Sequence, residues 1–279
     1  MATLLKGAPV AAAINERITA RVEELKQKGI APTLAILRVG ENPDDIYYEN
    51  SAIKRCEKVG VAARQVTLPV DVSQAALLAE IERLNQDSGV HGVLMLRPLP
   101  KQLDETAACN ALSPDKDIDG ITNGSLVGVF SGQDLGYPPC TAKACMEILD
   151  HYGIDCKGKR VVVIGRSLVV GKPVAMMLLE RHATVTICHS RTVDMQALCR
   201  EADILVVAIG RANFVTGAYV SPGQVVIDVG INNDEQGNLC GDVNFAEVEP
   251  IVDAITPVPG GIGTVTTSLL VAHVVDAAG

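Results

Sequence analysis

The chain has no tryptophan and only 3% aromatic residues, so its cores must be aliphatic, and it offers few rings on which nucleic-acid bases could stack. Cations are also in deficit: 24 Lys and Arg stand against 33 Asp and Glu, a formal net charge of −9. A surface that neutralises a nucleic-acid backbone needs clustered Lys and Arg, so that class of function is excluded as the main one. A local basic pocket for a small anion is not. No apolar run approaches the roughly 20 residues that span a bilayer, so no membrane segment is expected. The N-terminal stretch carries Lys6, Glu16, Arg17 and Arg21 inside its apolar pattern, which marks an amphipathic helix and not a signal peptide. The eight cysteines are scattered, with no Cys-x-x-Cys and no Cys/His pair at zinc spacing. Free buried thiols in a reducing, cytoplasmic compartment are the expectation, with no metal site.

Aliphatic residues are what the chain has in plenty. Its 279 residues, 48% of them hydrophobic, are enough for about two domains with a core each. Helix-period and strand-period segments alternate, which predicts α/β layers with mostly parallel sheets. In the first part, helices over 10–28, 45–59 and 73–85 alternate with strands over 33–39, 65–68 and 92–96. Residues 113–140 are richer in Gly, Pro, Asp and Ser, and the domain junction is placed there. A helix over 142–152 opens a second series, with strands over 160–164, 184–188, 204–209, 225–229 and 254–257. The expected organisation is an N-terminal α/β domain over 1–120 and a Rossmann-type doubly wound parallel sheet over 121–265. The final helix, 266–279, is expected to pack back onto the first domain.

The most informative stretch is Arg160-Val-Val-Val-Ile-Gly-Arg-Ser-Leu-Val-Val-Gly-Lys-Pro173. A buried strand runs into a Gly-rich turn and then a helix, with Pro173 in the first turn, where its missing N–H costs little. Gly165 allows the turn, Gly171 a close approach of backbone to pyrophosphate, and the helix start supplies N–H groups and positive dipole. The spacing is not the common G-x-G-x-x-G, and the glycines alone are equally compatible with a plain tight turn. The next strand ends Cys188-His189-Ser190-Arg191. An acidic residue at that place would hydrogen-bond an NAD ribose; Ser190, Arg191 and Arg166, with Ser167 in the turn, suit a 2′-phosphate instead. NADP is therefore the expected cofactor, and Arg191→Ala is expected to raise KM for NADP far more than for NAD. Gly230 and Ile231, after one strand, could border a nicotinamide, and Pro259, Gly260 and Gly261, after another, could admit a substrate; ordinary turn chemistry accounts for both equally well.

Taken together, VVVIGRSLVVGKP, ATVTICHSRT, DKDIDG, the GDV of Gly241–Val243 and ITPVPGGIG resemble the FolD family, the methylenetetrahydrofolate dehydrogenase/methenyltetrahydrofolate cyclohydrolases. The resemblance covers the chain in order. It implies two α/β domains with a cleft between them, NADP in the C-terminal domain, a tetrahydrofolate derivative in the cleft, and a homodimer. It further implies a Tyr that stacks on the pterin, with a catalytic Lys four residues on, a supporting Gln, and an acidic pterin partner. The Tyr falls on Tyr48 and the acidic residue on Asp119, but the Lys position holds Ala52 and the Gln position Leu96. Ala142 and Thr264 stand where the family usually has Pro, departures expected to matter little. Lys54 would point about 120° away from Tyr48 around a helix, and Arg55 lies about 10 Å further along it.

The two family reactions make different demands. Hydride transfer from the one-carbon bridge is driven by the substrate's own nitrogen lone pairs and moves no proton, so orientation of two rings does most of the work. Ring opening by water needs a positioned acid/base, worth typically 10²–10⁴-fold. The sequence therefore predicts an NADP-dependent dehydrogenase with weak or absent cyclohydrolase activity. Two alternatives remain open: a fully bifunctional enzyme in which another group replaces the lysine, and a non-catalytic NADP- or folate-binding paralogue. A hydroxy-acid dehydrogenase would want a His on the site wall, and none of His91, His151, His189 and His273 lies in a suitable motif.

Overall fold

In the computed structural model, which describes residues 1–279, the chain opens with a two-residue strand, β1 (Thr3–Leu4), and a long helix, α1 (Gly7–Gln27). Then come β2 (Thr33–Val39), α2 (Pro43–Val59), β3 (Ala62–Leu68), α3 (Gln74–Gln86), β4 (Gly92–Met95), α4 (Glu105–Ala111) and α5 (Asn123–Ser131). The second series is α6 (Cys140–His151), β5 (Arg160–Ile164), α7 (Gly171–Glu180), β6 (Thr184–Cys188), α8 (Met195–Arg200), β7 (Ile204–Val207) and β8 (Val225–Asp228). A short hairpin, β9 (Asn232–Asn233) with β10 (Leu239–Cys240), α9 (Phe245–Val248), β11 (Ala254–Ile255) and α10 (Ile262–Ala277) complete it.

The chain forms two units, one of residues 13–140 and 267–279, the other of residues 1–12 and 141–266. In the first, β3, β2 and β4 make a three-stranded parallel sheet, with Ile36 opposite Gln65 on one side and Leu94 on the other. Leu37, Leu77, Ile81, Leu84 and Met95 build its core. In the second, six parallel strands run in the order β1-β11-β8-β7-β5-β6. The all-apolar Val161–Ile164 and Ile204–Val207 are central and buried, as strands covered on both faces must be. The fold is thus α/β in both units, as the alternation of periods predicts. All eight cysteines are free, and seven are buried.

The expected junction at 120/121 falls at 140/141, and residues 1–12 join the second unit, while the break at 266/267 lies one residue from the expected 265/266. The Gly/Pro-rich stretch after residue 113 stays with the first unit because Asp117, fully buried, organises it. The Asp117 carboxylate accepts the N–H groups of Ile121 (3.0 Å) and Thr122 (2.7 Å) and the Ser125 hydroxyl (2.7 Å). Gly120, at φ +69°, lies against the Pro138–Pro139 backbone, where no side chain could fit. The first residues belong to the other unit because β1 pairs with β11, Thr3 opposite Ala254. A two-residue strand carries no periodicity, so this was beyond a sequence pattern.

Candidate active site

In the unit of residues 13–140, α2 carries the first functional face. Asn42 caps it, accepting the Asp44 N–H, Pro43 fills its first turn, and Gly60 ends it in the left-handed conformation at φ 79°. Its buried stripe is Glu49, Ala52, Cys56 and Val59, at helical spacing. Tyr48 flanks this stripe, 39% exposed. Burial of its hydroxyl, reinforced by the nearby Asp119 carboxylate and the Cys140 thiol, pushes the phenol up to about 12. Asp119 itself is raised to about 6, chiefly by burial; the Arg97 guanidinium pulls it down and Asp117 pushes it up. Tyr48 and Asp119, predicted as partners, are thus brought together, and Arg97 and Cys140 join them unannounced. Arg97 also reaches Glu105 at 3.6 Å. His273 holds the turn from behind, its Nδ1 2.8 Å from the Ile118 carbonyl and its ring stacked on Tyr137.

Positions 52 and 96, where the resemblance implies a polar pair, are apolar and closed: Ala52 is 8% and Leu96 6% exposed. Lys54 points to solvent, as the helical angle predicts. Arg55 is half-buried and engaged with the Ser268 hydroxyl at 3.4 Å. Neither residue replaces an amine at position 52.

In the other unit, a cavity of about 330 Å³ at the carboxyl ends of β5, β6 and β7 gathers Gly165, Arg166, Ser167 and Ser190, and adds Arg211 and Phe214. The Arg211 guanidinium lies 4.5 Å from the Phe214 ring centroid, a cation–π contact. Arg191 is exposed and lies outside this lining; its N–H turns back to His189 Nδ1 at 3.1 Å. Gly171 lies outside the lining too. A Cβ there would strike the Gly165 carbonyl and the Arg166 nitrogen, so this glycine serves the closeness of its own turn. Nor are the first helical N–H groups all open: Ser167 Oγ accepts those of Val170 (3.1 Å) and Gly171 (3.4 Å).

A second cavity, about 230 Å³, brings together Gly230 and Ile231 with Pro259, Gly260 and Gly261, and Thr264 borders it. Two buried aspartates shape its rim. Asp228 accepts the N–H groups of Gly230 (2.9 Å), Asp242 (3.0 Å) and Val243 (3.0 Å). Burial nonetheless raises its carboxyl to about 7, against the pull of those donors and with Asp242 adding to the rise. Asp242 in turn accepts Ile209, Gly210 and Arg211 N–H groups at 2.7, 3.1 and 2.7 Å, which fixes the loop that carries Arg211. Side chains at Gly230 and Gly241 would overlap these carboxylates. The GDV motif therefore works by locking two loops together, a role its spacing alone did not reveal.

Two guanidiniums and two hydroxyls around one cavity, beside a glycine-lined second one at the same sheet edge, fit a phosphorylated dinucleotide. Fold and site together define a dinucleotide-binding α/β protein of two units. The family models agree and go further. Residues 5–119 match the tetrahydrofolate dehydrogenase/cyclohydrolase catalytic domain, and residues 139–279 the NAD(P)-binding domain of the same family. The chain belongs to the tetrahydrofolate dehydrogenase/cyclohydrolase family. It is 53% identical to the bifunctional protein FolD of Carboxydothermus hydrogenoformans over 99% of this chain and 97% of that one. Among solved structures, the bifunctional FolD enzyme of Campylobacter jejuni superposes with a TM-score of 0.96 at 39% identity, covering 100% of this chain and 99% of that one. The Trypanosoma brucei methylenetetrahydrofolate dehydrogenase-cyclohydrolase, solved with NADP and an inhibitor, gives 0.90 at 36% identity, with 99% and 97% covered.

Proposed function

We propose that the protein oxidises 5,10-methylenetetrahydrofolate to 5,10-methenyltetrahydrofolate with NADP in one-carbon metabolism, and opens the methenyl ring weakly. Tyr48 offers a half-exposed ring for the pterin to stack on, and Asp119 an acceptor for a pterin N–H. Arg166, Ser167, Ser190 and Arg211 would hold the phosphate-bearing end of the cofactor, and Gly230 and Ile231 would border its nicotinamide. Pro259, Gly260 and Gly261 line the same cavity as Gly230 and Ile231, so their backbone would meet the nicotinamide side as well as the substrate. NADP, when bound, supplies the hydride acceptor. The electron push comes from the nitrogen lone pairs of the substrate, so the chain's residues need only orient the bridge carbon.

The observation that carries the single-activity reading is the closed apolar pair Ala52 and Leu96, with Lys54 turned to solvent. Water attack on the methenyl carbon needs a group that takes a proton, and a lysine can do so only when desolvated. The check is to supply methenyltetrahydrofolate without nucleotide and follow its absorbance. Loss at close to the spontaneous rate is expected, while the same preparation reduces NADP with methylenetetrahydrofolate. Rapid enzymatic loss would mean the second reading, a bifunctional enzyme, which the names of the relatives favour. The cytoplasmic location expected from the free thiols and the homodimer that the resemblance implies belong to this reading; sedimentation of the purified protein checks the latter.

A further inference from the structure

The last helix, α10, is strongly apolar, with Leu269, Leu270, Val274 and Val275 buried, yet it buries a histidine among them. His273, 5% exposed, belongs to the same unit as Tyr48 and Asp119. Buried polar groups in folded proteins are nearly always hydrogen-bonded, so the partners of this ring show what it does there. One of them is the carbonyl of Ile118, the residue before Asp119.

Two donors meet on that oxygen. His273 Nδ1 lies 2.8 Å from it and Cys140 Sγ 3.3 Å. A carbonyl oxygen only accepts, so Nδ1 carries a proton and donates it, and the thiol donates beside it. The two donor atoms are 3.7 Å apart. The ring is held in its plane by Tyr137, on which it stacks with centroids 4.8 Å apart and 30° between the planes. The peptide that joins Ile118 to Asp119 is planar, so holding its oxygen sets the plane in which the chain enters the Asp119 Cα. The other ties of the turn lie on either side of this peptide. The Ile118 N–H reaches the Lys116 carbonyl at 3.0 Å, and the Asp117 carboxylate takes the N–H groups of Ile121 and Thr122. Asp119 itself stays partly exposed, as does Tyr48, so a ligand can reach its carboxylate while the backbone before it is gripped from the buried side.

We propose that His273 is a positioning residue of the folate site: its Nδ1–H, with the Cys140 thiol, clamps the Ile118–Asp119 peptide and so aims the Asp119 carboxylate at the pterin. This rests on the folate reading of the site, in which Asp119 accepts a pterin N–H. His273 acts through Asp119 alone. A hydrogen bond to a bound ring depends on direction as well as distance, so loss of the clamp weakens folate binding first.

The test compares His273→Leu, which fills the space without a donor, with His273→Asn, whose amide nitrogen can stand where Nδ1 does. Steady-state kinetics of NADP reduction are read together with the thermal midpoint. His273→Leu should raise KM for methylenetetrahydrofolate by roughly tenfold or more, while kcat and KM for NADP stay within about threefold of the parent. His273→Asn should bring KM for the folate back to within about threefold. A role in packing alone would lower the thermal midpoint and the fraction of active enzyme, hence kcat, and leave KM at its parental value; that pattern would overturn the proposal. Parental kinetics in both variants would overturn it too, as would an equal rise of KM in both. If His273→Leu does not fold, His273→Gln takes its place, since its longer side chain carries the amide where Nε2 stands. Its KM for the folate should rise in the same way, and a parental value would overturn the proposal. A parental protein that does not turn over methylenetetrahydrofolate would sink the folate reading itself, and the proposal with it.

Discussion

Asp117 and Asp119 stand two residues apart in one turn and do unlike work. Asp117 is fully buried, and its oxygens take two N–H groups and a hydroxyl, so it builds the turn. Asp119 meets Tyr48 and Arg97 and is raised by burial to about 6. Only the ionised form accepts a pterin N–H in both oxygens, so kcat/KM for the folate should fall as pH drops through about 6. A pH–rate profile of the parental protein should show that limb, and Asp119→Asn should be slower and flat across it. At the other cavity, Arg211 joins Arg166 in the lining, and Arg191 lies outside it. Arg211→Ala should raise KM for NADP roughly tenfold, in keeping with the loss of a charge-assisted contact, and Arg191→Ala should change it by less than about threefold. Steady-state titration of NADP at saturating folate reads both.

At the scale of elements, local signals explain most of what the chain forms. Asn42, Pro43 and Gly60 start and stop α2, and Ser73 caps α3 by accepting the Ala76 N–H. The apolar runs Thr33–Val39 and Arg160–Ile164 form strands with the bounds the pattern predicts. The short elements α4, α5, α8 and α9, the β9–β10 hairpin and β1 escaped it. Each is too brief for a period to register, and α4 and α9 are started by their own caps, Asp104 accepting the Ala107 N–H and Asn244 that of Glu247. The ends of β7 and β8 are likewise not propensity effects. Both strands stop where Asp228 and Asp242 collect backbone N–H groups from the loops that follow. The interlock has a consequence for stability. Asp228 has a folded-state pKa of about 7, above the ordinary 3.8, so the folded protein holds this proton more tightly than the unfolded chain. Its contribution to stability is therefore greatest below about pH 4 and is lost as pH rises to about 7. Asp228→Asn cannot titrate. Measured by thermal unfolding, its midpoint should gain on that of the parent by roughly 5 °C between pH 4 and pH 7, whatever constant offset the lost acceptor causes.

Over the whole molecule, the sequence by itself determined the class of fold, the parallel sheets, the order of the motifs and the identity of most candidate residues. Binary pattern, turn residues and the strand–glycine–helix signal are local, and they survive in one dimension. Tyr48 and Asp119, and the apolar Ala52 and Leu96, were legible only through the motifs that carry the family resemblance. The tertiary structure alone decided three things. It placed the unit boundaries inside α1 and near Cys140, because β1 pairs with the distant β11 and the Asp117 carboxylate ties the stretch after it to the first unit. It put Arg211 on the wall of the cavity that Arg166 lines, because which side of a loop faces a cavity depends on the Asp242 carboxylate that anchors it. And it brought Arg38 against Glu49, on different elements, leaving one buried carboxylate oxygen without a hydrogen bond. Burial, pairing and direction are properties of neighbours in space, and a chain shows only its neighbours in order.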